Sequence, residues 1–111
     1  MQVVIFVPRM EKAPEYIQEV AEKLKFFGPY KIANHGSRIT LQNEGIYLDV
    51  RLADPVACGG LYPKYWFADP GCSYDFCEYA AAYFRRSGKE QMVSLRHLVM
   101  TIIETILYEF A

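Results

Sequence analysis

The chain has 111 residues, of which 52% are hydrophobic and 23% are charged, and 12 basic against 13 acidic residues give a net charge of −1. This composition excludes a disordered chain. The balanced charge argues against a nucleic-acid binder, which usually carries a basic excess. A chain of this length buries roughly two thirds of its unfolded surface on folding, so we expect a single α+β domain over residues 1–111.

The first third of the chain predicts a strand, a helix and a second strand. The unbroken apolar run Val3 to Val7 is typical of a strand covered on both faces. A helix is predicted from Pro14 to the Gly28-Pro29 stop. Its apolar stripe, at the spacing i, i+3, i+4, i+7, consists of Ile17, Val20, Ala21 and Leu24. Tyr30 to Asn34 then predicts a strand, followed by a turn.

Two alternating segments, Arg38 to Gln42 and Ile46 to Leu52, predict an antiparallel hairpin. Facing residues must share a side of the sheet, so the loop must contain an even number of residues. A two-residue loop places Arg38 opposite Arg51, whereas a four-residue loop from Gln42 to Gly45 places Arg38 opposite Asp49. Opposite charges across a strand pair contribute about 0.2–1 kcal/mol, so we favour the four-residue loop.

The segment from Asp54 to Tyr79 contains all three cysteines, the only tryptophan and many turn residues. We predict that its first part is ordered but irregular, with Tyr65 to Ala68 as an alternative short edge strand. A helix is predicted from a cap at Asp69-Pro70 or Ser73 to about Arg86. A last amphipathic helix is predicted from about Glu90 to Phe110.

Together these elements predict an α+β fold with a mainly antiparallel sheet of about four strands and three helices, in the order β-α-β-β-β-loop-α-α. The N-terminus has only five consecutive apolar residues and no basic leader, which is not the pattern of a signal peptide or a membrane anchor. We therefore expect no membrane partner and a cytoplasmic location. In that compartment an odd number of cysteines favours reduced thiols.

One candidate site is a metal or thiol site. Its ligands would be Cys58, Cys72 and Cys77 together with His35 or His97. The spacing C-x13-C-x4-C lacks the usual C-x2-C knuckle, and Gly59-Gly60 after Cys58 is explained by a tight turn. A metal site or a thiol-dependent enzyme therefore remains the alternative hypothesis, and we predict no cofactor.

The favoured candidate site is an aromatic loop. Four aromatic residues and one lysine fall close together in it: Tyr62, Lys64, Tyr65, Trp66 and Phe67. Tyrosine and tryptophan dominate interface hot spots, so the sequence predicts a non-enzymatic protein-binding module of inhibitor, immunity or adaptor type. The polar side of the hairpin adds a second set of predicted contacts, namely Arg38, Tyr47, Asp49 and Arg51.

Two alternatives to this interpretation stay open. Trp66 and Phe67 could fold inward as a lid over the core while Tyr62 and Tyr65 cover the surface. The surplus aromatic residues could instead pair two copies of the chain as a homodimer. Stacking on single-stranded nucleic acid also needs a basic groove, and only Lys64, Arg38 and Arg51 offer charge nearby, so we do not expect a nucleic-acid partner.

Overall fold

The computed structural model describes residues 1–41, 45–86 and 90–109. Within these ranges the chain forms six strands and four α-helices. The strands are β1 (Gln2–Val7), β2 (Tyr30–Ala33), β3 (Arg38–Leu41), β4 (Ile46–Leu52), β5 (Tyr65–Ala68) and β6 (Glu90–Gln91). The helices are α1 (Ala13–Leu24), α2 (Pro55–Cys58), α3 (Tyr74–Arg85) and α4 (Leu95–Glu109).

The strands form one mixed sheet in the order β2-β3-β4-β1-β5-β6. Strand β1 is parallel to both neighbours, β4 and β5, and β5 is parallel to β6, whereas β2, β3 and β4 are antiparallel. The predicted α+β class is confirmed, but a mainly antiparallel sheet of four strands with three helices is wrong in detail. The antiparallel prediction fails at β1, an interior strand with a parallel neighbour on each side. Its residues Val3 to Val7 are fully buried, because strands cover both of its edges and helices cover both of its faces.

The β3–β4 hairpin has the predicted register. Arg38 faces Asp49, and Leu41 faces Ile46, as the four-residue loop requires. Gly45, the last residue of that loop, has a φ of +63°, which a glycine adopts without the cost of a Cβ clash. The preceding loop residues, Gln42 to Glu44, lie outside the described residues.

Two separate hydrophobic clusters hold the helices against the sheet. On one face, Val3, Ile5 and Val7 of β1 pack in a cluster with the apolar sides of α1 and α4. On the other face, Val4 and Phe6 pack in a cluster with residues of α2, β5 and α3. None of the described residues of β2, β3 or β4 belongs to this second cluster. The helices of the second face therefore leave the polar side of these three strands uncovered.

The predicted helices differ most from the structure at the last one. The helix after Pro14 is confirmed as α1, and the Ser73 cap of α3 is confirmed by a hydrogen bond from the Phe76 N–H to Ser73 Oγ. Helix α4 instead begins at Leu95, five residues after the predicted start. The preceding residues Glu90–Gln91 form β6 beside β5, and Ser94 Oγ accepts the His97 N–H as an N-cap. The predicted C-terminal residue, Phe110, lies beyond the described ranges.

Candidate functional site

The aromatic loop predicted from the sequence does not form one surface. Trp66 is 1% exposed and Phe67 is 6% exposed, because both lie in the interior strand β5 and not on a loop or at a sheet edge. Trp66 packs against Phe6 and Phe84, with ring centroids 6.0 and 5.4 Å apart. Phe67 points to the opposite face and contacts Tyr16. Both side chains therefore point inward, as in the alternative that the sequence left open, and neither is accessible to a partner in the folded chain.

The other members of the predicted loop lie at different places. Tyr62 is 76% exposed and lies before β5. Lys64 is exposed, and its ammonium lies 5.6 Å from the centroid of the Tyr65 ring. Tyr65 is half-buried and, with Lys64, lines a groove of about 340 Å³ beside α4. Lys64 and Tyr65 thus belong to the side of the sheet that carries α4.

The second predicted set of contacts does form one surface, which we call the open sheet face. It is the polar side of β2, β3 and β4, and cross-strand pairing places Arg38 beside Asp49 and Thr40 between Lys31 and Tyr47. Its residues are Lys31, Arg38, Thr40, Tyr47, Asp49 and Arg51. The alternation of Arg38 to Gln42 and of Ile46 to Leu52 correctly places five of these residues on one face, all except Lys31.

Asp49 lies at the centre of the open sheet face. Its carboxylate is held by Arg38, with Nε 2.6 Å from Oδ1 and Nη2 3.2 Å from Oδ2, and Gln2 Nε2 donates to Oδ2 at 3.2 Å. Asp49 itself is only 2% exposed. The hydrogen bond to Asp49 raises the pKa of Arg38 further above its ordinary value, against the smaller opposing effect of burial. The two-point contact fixes the Arg38 guanidinium in one orientation.

The Arg38 guanidinium also covers the ring of Tyr47. Its Cζ atom lies 5.3 Å from the ring centroid, which is within the range of a cation–π contact. Both side chains remain partly exposed. Arg38 and Tyr47 therefore form a rigid pair whose outer edges face solvent.

Gln2 connects the open sheet face to the segment that carries Tyr62. While its Nε2 donates to Asp49, its Oε1 accepts the backbone N–H of Tyr62 at 3.0 Å, and its backbone oxygen accepts the N–H of Lys64 at 2.8 Å. Consecutive hydrogen bonds thus link Arg38 to Asp49, Asp49 to Gln2, and Gln2 to the backbone of Tyr62. This link places the exposed Tyr62 at the rim of the open sheet face.

The charge of the open sheet face is positive. Lys31, Arg38 and Arg51 are its cations, and Asp49 is its only carboxylate among the described residues. Arg51 is the least constrained of the two arginines, since its Nη2 lies 4.0 Å from Asp49 Oδ2 and its side chain is 42% exposed. Its guanidinium makes no hydrogen bond to the described part of the chain. The face thus holds two surplus positive charges on a chain whose net charge is −1.

A second polar cluster, which sequence reasoning missed, lies at the carboxyl end of β5. The Asp69 carboxylate accepts hydrogen bonds from Tyr16 Oη, the Gly71 N–H at 2.7 Å and Lys12 Nζ at 3.3 Å. Burial alone raises the pKa of Asp69, but these hydrogen bonds together lower it below its ordinary value. Burial and the bond to Asp69 raise the pKa of Tyr16. The only hint in the sequence is that Lys12, just before α1, and Tyr16, in its first turn, are four residues apart.

This Asp69 cluster lies where β1 and β5 send their following helices to opposite faces of the sheet, a place where open α/β sheets often bind ligands. It lines a cavity of about 210 Å³ together with Glu15 and Glu19. An ionised carboxylate that accepts hydrogen bonds from three donors is a poor general base, since a proton would have to displace one of them. The cluster therefore serves chiefly to join the end of β5 to the start of α1.

The structure does not bring the three cysteines and His35 together as one ligand set within the described residues. All three are free thiols, and Cys58 is fully buried in the second cluster. Burial, with a smaller effect of Asp54, raises the pKa of Cys58 to about 11, and burial raises the pKa of Cys77 as well. His35 lies exposed in the turn between β2 and β3. No group of three or more His, Cys, Asp or Glu residues within the described ranges is arranged to hold a metal ion, so the alternative ligand set with Cys72 is not assembled.

A groove of about 500 Å³ lies between α1 and α4. Its walls include the exposed Phe26 ring and the partly exposed Met100.

Within the described ranges, no helix has the length and apolar character that crossing a membrane requires. Comparison with protein families, curated proteins and solved structures gave no match to this chain.

Proposed function

We propose that the chain is a non-enzymatic protein-binding module of inhibitor, immunity or adaptor type, and that the open sheet face with Tyr62 is its contact surface. The observation that carries the proposal is the pair of arginines arranged over one buried carboxylate on a sheet face that no helix of the second cluster covers. Arginine and tyrosine are the residues most enriched in interface hot spots together with tryptophan.

The rigidity of this surface supports the same proposal. Arg38 is held by Asp49 and lies against Tyr47. Gln2 joins the backbone N–H of Tyr62 to the same network, while the Tyr62 side chain stays exposed. Side chains that are already fixed lose less conformational entropy when a partner binds. A prearranged polar surface of this kind is suited to recognition of another protein without a cofactor.

The chemistry of the remaining groups favours binding over catalysis. The complete burial of Cys58 and the partial burial of Cys72 and Cys77 raise the pKa of all three thiols, so little thiolate forms near neutral pH. The Asp49 carboxylate is engaged by Arg38 and Gln2. We also propose a cytoplasmic location, which three free cysteines would suit.

The test is a quantitative pull-down from lysate of the source organism with three purified forms of the chain. They are the wild type, the double variant Arg51→Ala/Tyr62→Ala, and the control Tyr74→Ala/Arg85→Ala. The control also removes one exposed tyrosine and one exposed arginine, but from α3. We expect the wild type and the control to retain the same amount of the same partner. The double variant should retain at least tenfold less of it.

Circular dichroism must show that all three forms are equally folded. If the folded double variant retains every partner of the wild type, the open sheet face is not the interface. Light scattering of the wild type separates a different partner from a second copy of the chain. If the wild type forms a stable dimer and the double variant Arg51→Ala/Tyr62→Ala is a monomer, the partner of the open sheet face is a second copy of the chain.

A further inference from the structure

Resting on the proposed function, we infer that the partner presents an acidic protein segment to the open sheet face and that Arg51 binds one of its carboxylates. Lys31, Arg38 and Arg51 together exceed Asp49 by two positive charges on this face. The only ion pair that the described chain offers to Arg51 is the 4.0 Å contact with Asp49, and it offers none to Lys31. The surplus charge is therefore available to a partner.

Arg51 is the cation best placed to act as the anchor. The carboxylate of Asp49 already accepts two hydrogen bonds from Arg38 and one from Gln2, so it leaves the Arg51 guanidinium without a close acceptor. A guanidinium presents donors in a planar fork that matches the two oxygens of a carboxylate. Because Arg51 is 42% exposed, this fork can be reached from solvent.

The geometry favours an acidic protein segment over single-stranded nucleic acid. Binding of single strands combines a positive groove with aromatic faces on which bases stack. Here the Arg38 guanidinium already lies over the Tyr47 ring, so one face of the ring is occupied. Three cations on a flat face would also neutralise only a few phosphates, which gives weak binding at physiological salt.

Binding is measured by fluorescence anisotropy with three labelled probes at 50 and 300 mM salt. The probes are a 12-residue peptide with six glutamates spaced by glycine and serine, its lysine analogue, and a 12-nucleotide oligo(dT). The forms of the chain are wild type, Arg51→Ala, Arg51→Lys and the control Arg85→Ala, an exposed arginine on α3. Each form is first checked for folding by circular dichroism.

We expect the wild type and Arg85→Ala to bind the acidic peptide with equal affinity, more weakly at 300 mM salt, and not to bind the lysine analogue. Arg51→Ala should weaken binding at least tenfold. The affinity of Arg51→Lys for the peptide should lie between those of the wild type and Arg51→Ala, because lysine keeps the positive charge but lacks the planar fork of donors.

Three results would overturn the inference: no binding of the acidic peptide by the wild type at millimolar concentration, equal binding by Arg51→Ala, or tighter binding of oligo(dT) than of the peptide. Competition separates this inference from the proposed function. If Arg51→Ala/Tyr62→Ala loses its partner but the acidic peptide does not displace that partner from the wild type, the interface stands and its acidic specificity does not.

Discussion

Arg38 holds both carboxylate oxygens of Asp49 across the β3–β4 pair, with Nε 2.6 Å from Oδ1 and Nη2 3.2 Å from Oδ2. The carboxylate is nearly inaccessible, whereas 35% of the Arg38 side chain is exposed. The pair is therefore buried on its acidic side and solvated on its basic side. Its contribution to stability should lie between that of a surface ion pair and that of a fully buried one.

Asp49→Asn should lower the free energy of unfolding by about 1–3 kcal/mol, because Arg38 and Gln2 lose their shared acceptor charge in a poorly solvated place. Urea unfolding followed by circular dichroism measures this change. Glu104→Gln on the exposed side of α4 is the matched control and should stay within about 0.5 kcal/mol of the wild type.

A double-mutant cycle tests whether the loss belongs to this contact. Once Asp49 has been changed to Asn, Arg38→Ala should cost clearly less than it does in the wild type. Equal costs in both backgrounds would contradict a direct coupling between the two side chains.

Trp66 provides a direct optical test of the corrected position of the aromatic segment. Because Trp66 is packed among Phe6 and Phe84, its native emission should be shifted to shorter wavelength and weakly quenched by acrylamide. Trp66→Ala should lower the free energy of unfolding by about 3–5 kcal/mol through loss of burial and creation of a cavity. Stern–Volmer quenching and urea unfolding provide the two measurements.

Tyr62→Ala, four residues earlier in the same segment, is the control. Its side chain is exposed, so the free energy of unfolding should change by no more than about 0.5 kcal/mol. Free accessibility of Trp66 to acrylamide would contradict its buried position. A destabilisation by Tyr62→Ala as large as that expected for Trp66→Ala would contradict the exposed position of Tyr62.

The elements that the sequence predicted well are those set by local patterns. Helix α1 follows from a stripe of apolar residues between Pro14 and Gly28, and α3 follows from the Ser73 cap. The hairpin register follows from alternation together with the choice between Arg38–Asp49 and Arg38–Arg51 pairing. Each of these decisions uses residues less than fifteen positions apart.

The parts that the sequence did not predict depend on distant contacts. The alternative strand at Tyr65–Ala68 is confirmed as β5, but its interior position was not predicted, because it is buried on both faces and shows no alternation. Its parallel pairing with β1 joins residues about sixty positions apart. Strand β6 has two residues and lies inside the apparent helix pattern, so only its contact with β5 identifies it. The polar side of the hairpin was predictable from alternation. The bonds of Gln2 and Asp69, which join distant segments, were not.

Acid stability should depend on Asp69. Hydrogen bonds from Tyr16, Gly71 and Lys12 outweigh the opposing effect of burial and lower the pKa of Asp69 in the folded chain. The unfolded value is about 3.9, so this stabilisation is present above that pH and is lost as the pH falls through the folded value. Asp69→Asn should be less stable than the wild type by about 1–3 kcal/mol at pH 7, and the difference should shrink as the pH falls from 5 to 2.

Urea unfolding at a series of pH values measures this dependence. Asp75→Asn, which removes an exposed carboxyl on α3, is the control and should retain most of the acid sensitivity of the wild type. A constant difference between wild type and Asp69→Asn from pH 7 to pH 2 would contradict the lowered pKa of Asp69.

The native thiols should react slowly with a disulfide reagent such as Ellman's reagent. Burial, and to a smaller extent the charge of Asp54, raises the pKa of Cys58 to about 11. At pH 8 its thiolate fraction would be about 0.1%, against about a quarter for an ordinary cysteine of pKa about 8.5. A more basic thiolate is also a stronger nucleophile, so the raised pKa alone should slow Cys58 by only about 10- to 25-fold, and its complete burial should slow it further.

The measurement is the time course of the reaction between the protein thiols and Ellman's reagent at pH 8, followed by the coloured thiolate that the reagent releases. It is made for the wild type and Cys58→Ser, in buffer and in 6 M guanidinium. In guanidinium, three thiols in the wild type and two in the variant should react at the rate of free cysteine. In buffer, the fastest phase should have the same amplitude in both forms, because Cys58 contributes only to the slowest phase. A fast phase in buffer that disappears in Cys58→Ser would mean that this thiol is accessible and reactive, and would reopen a thiol-dependent function for the chain.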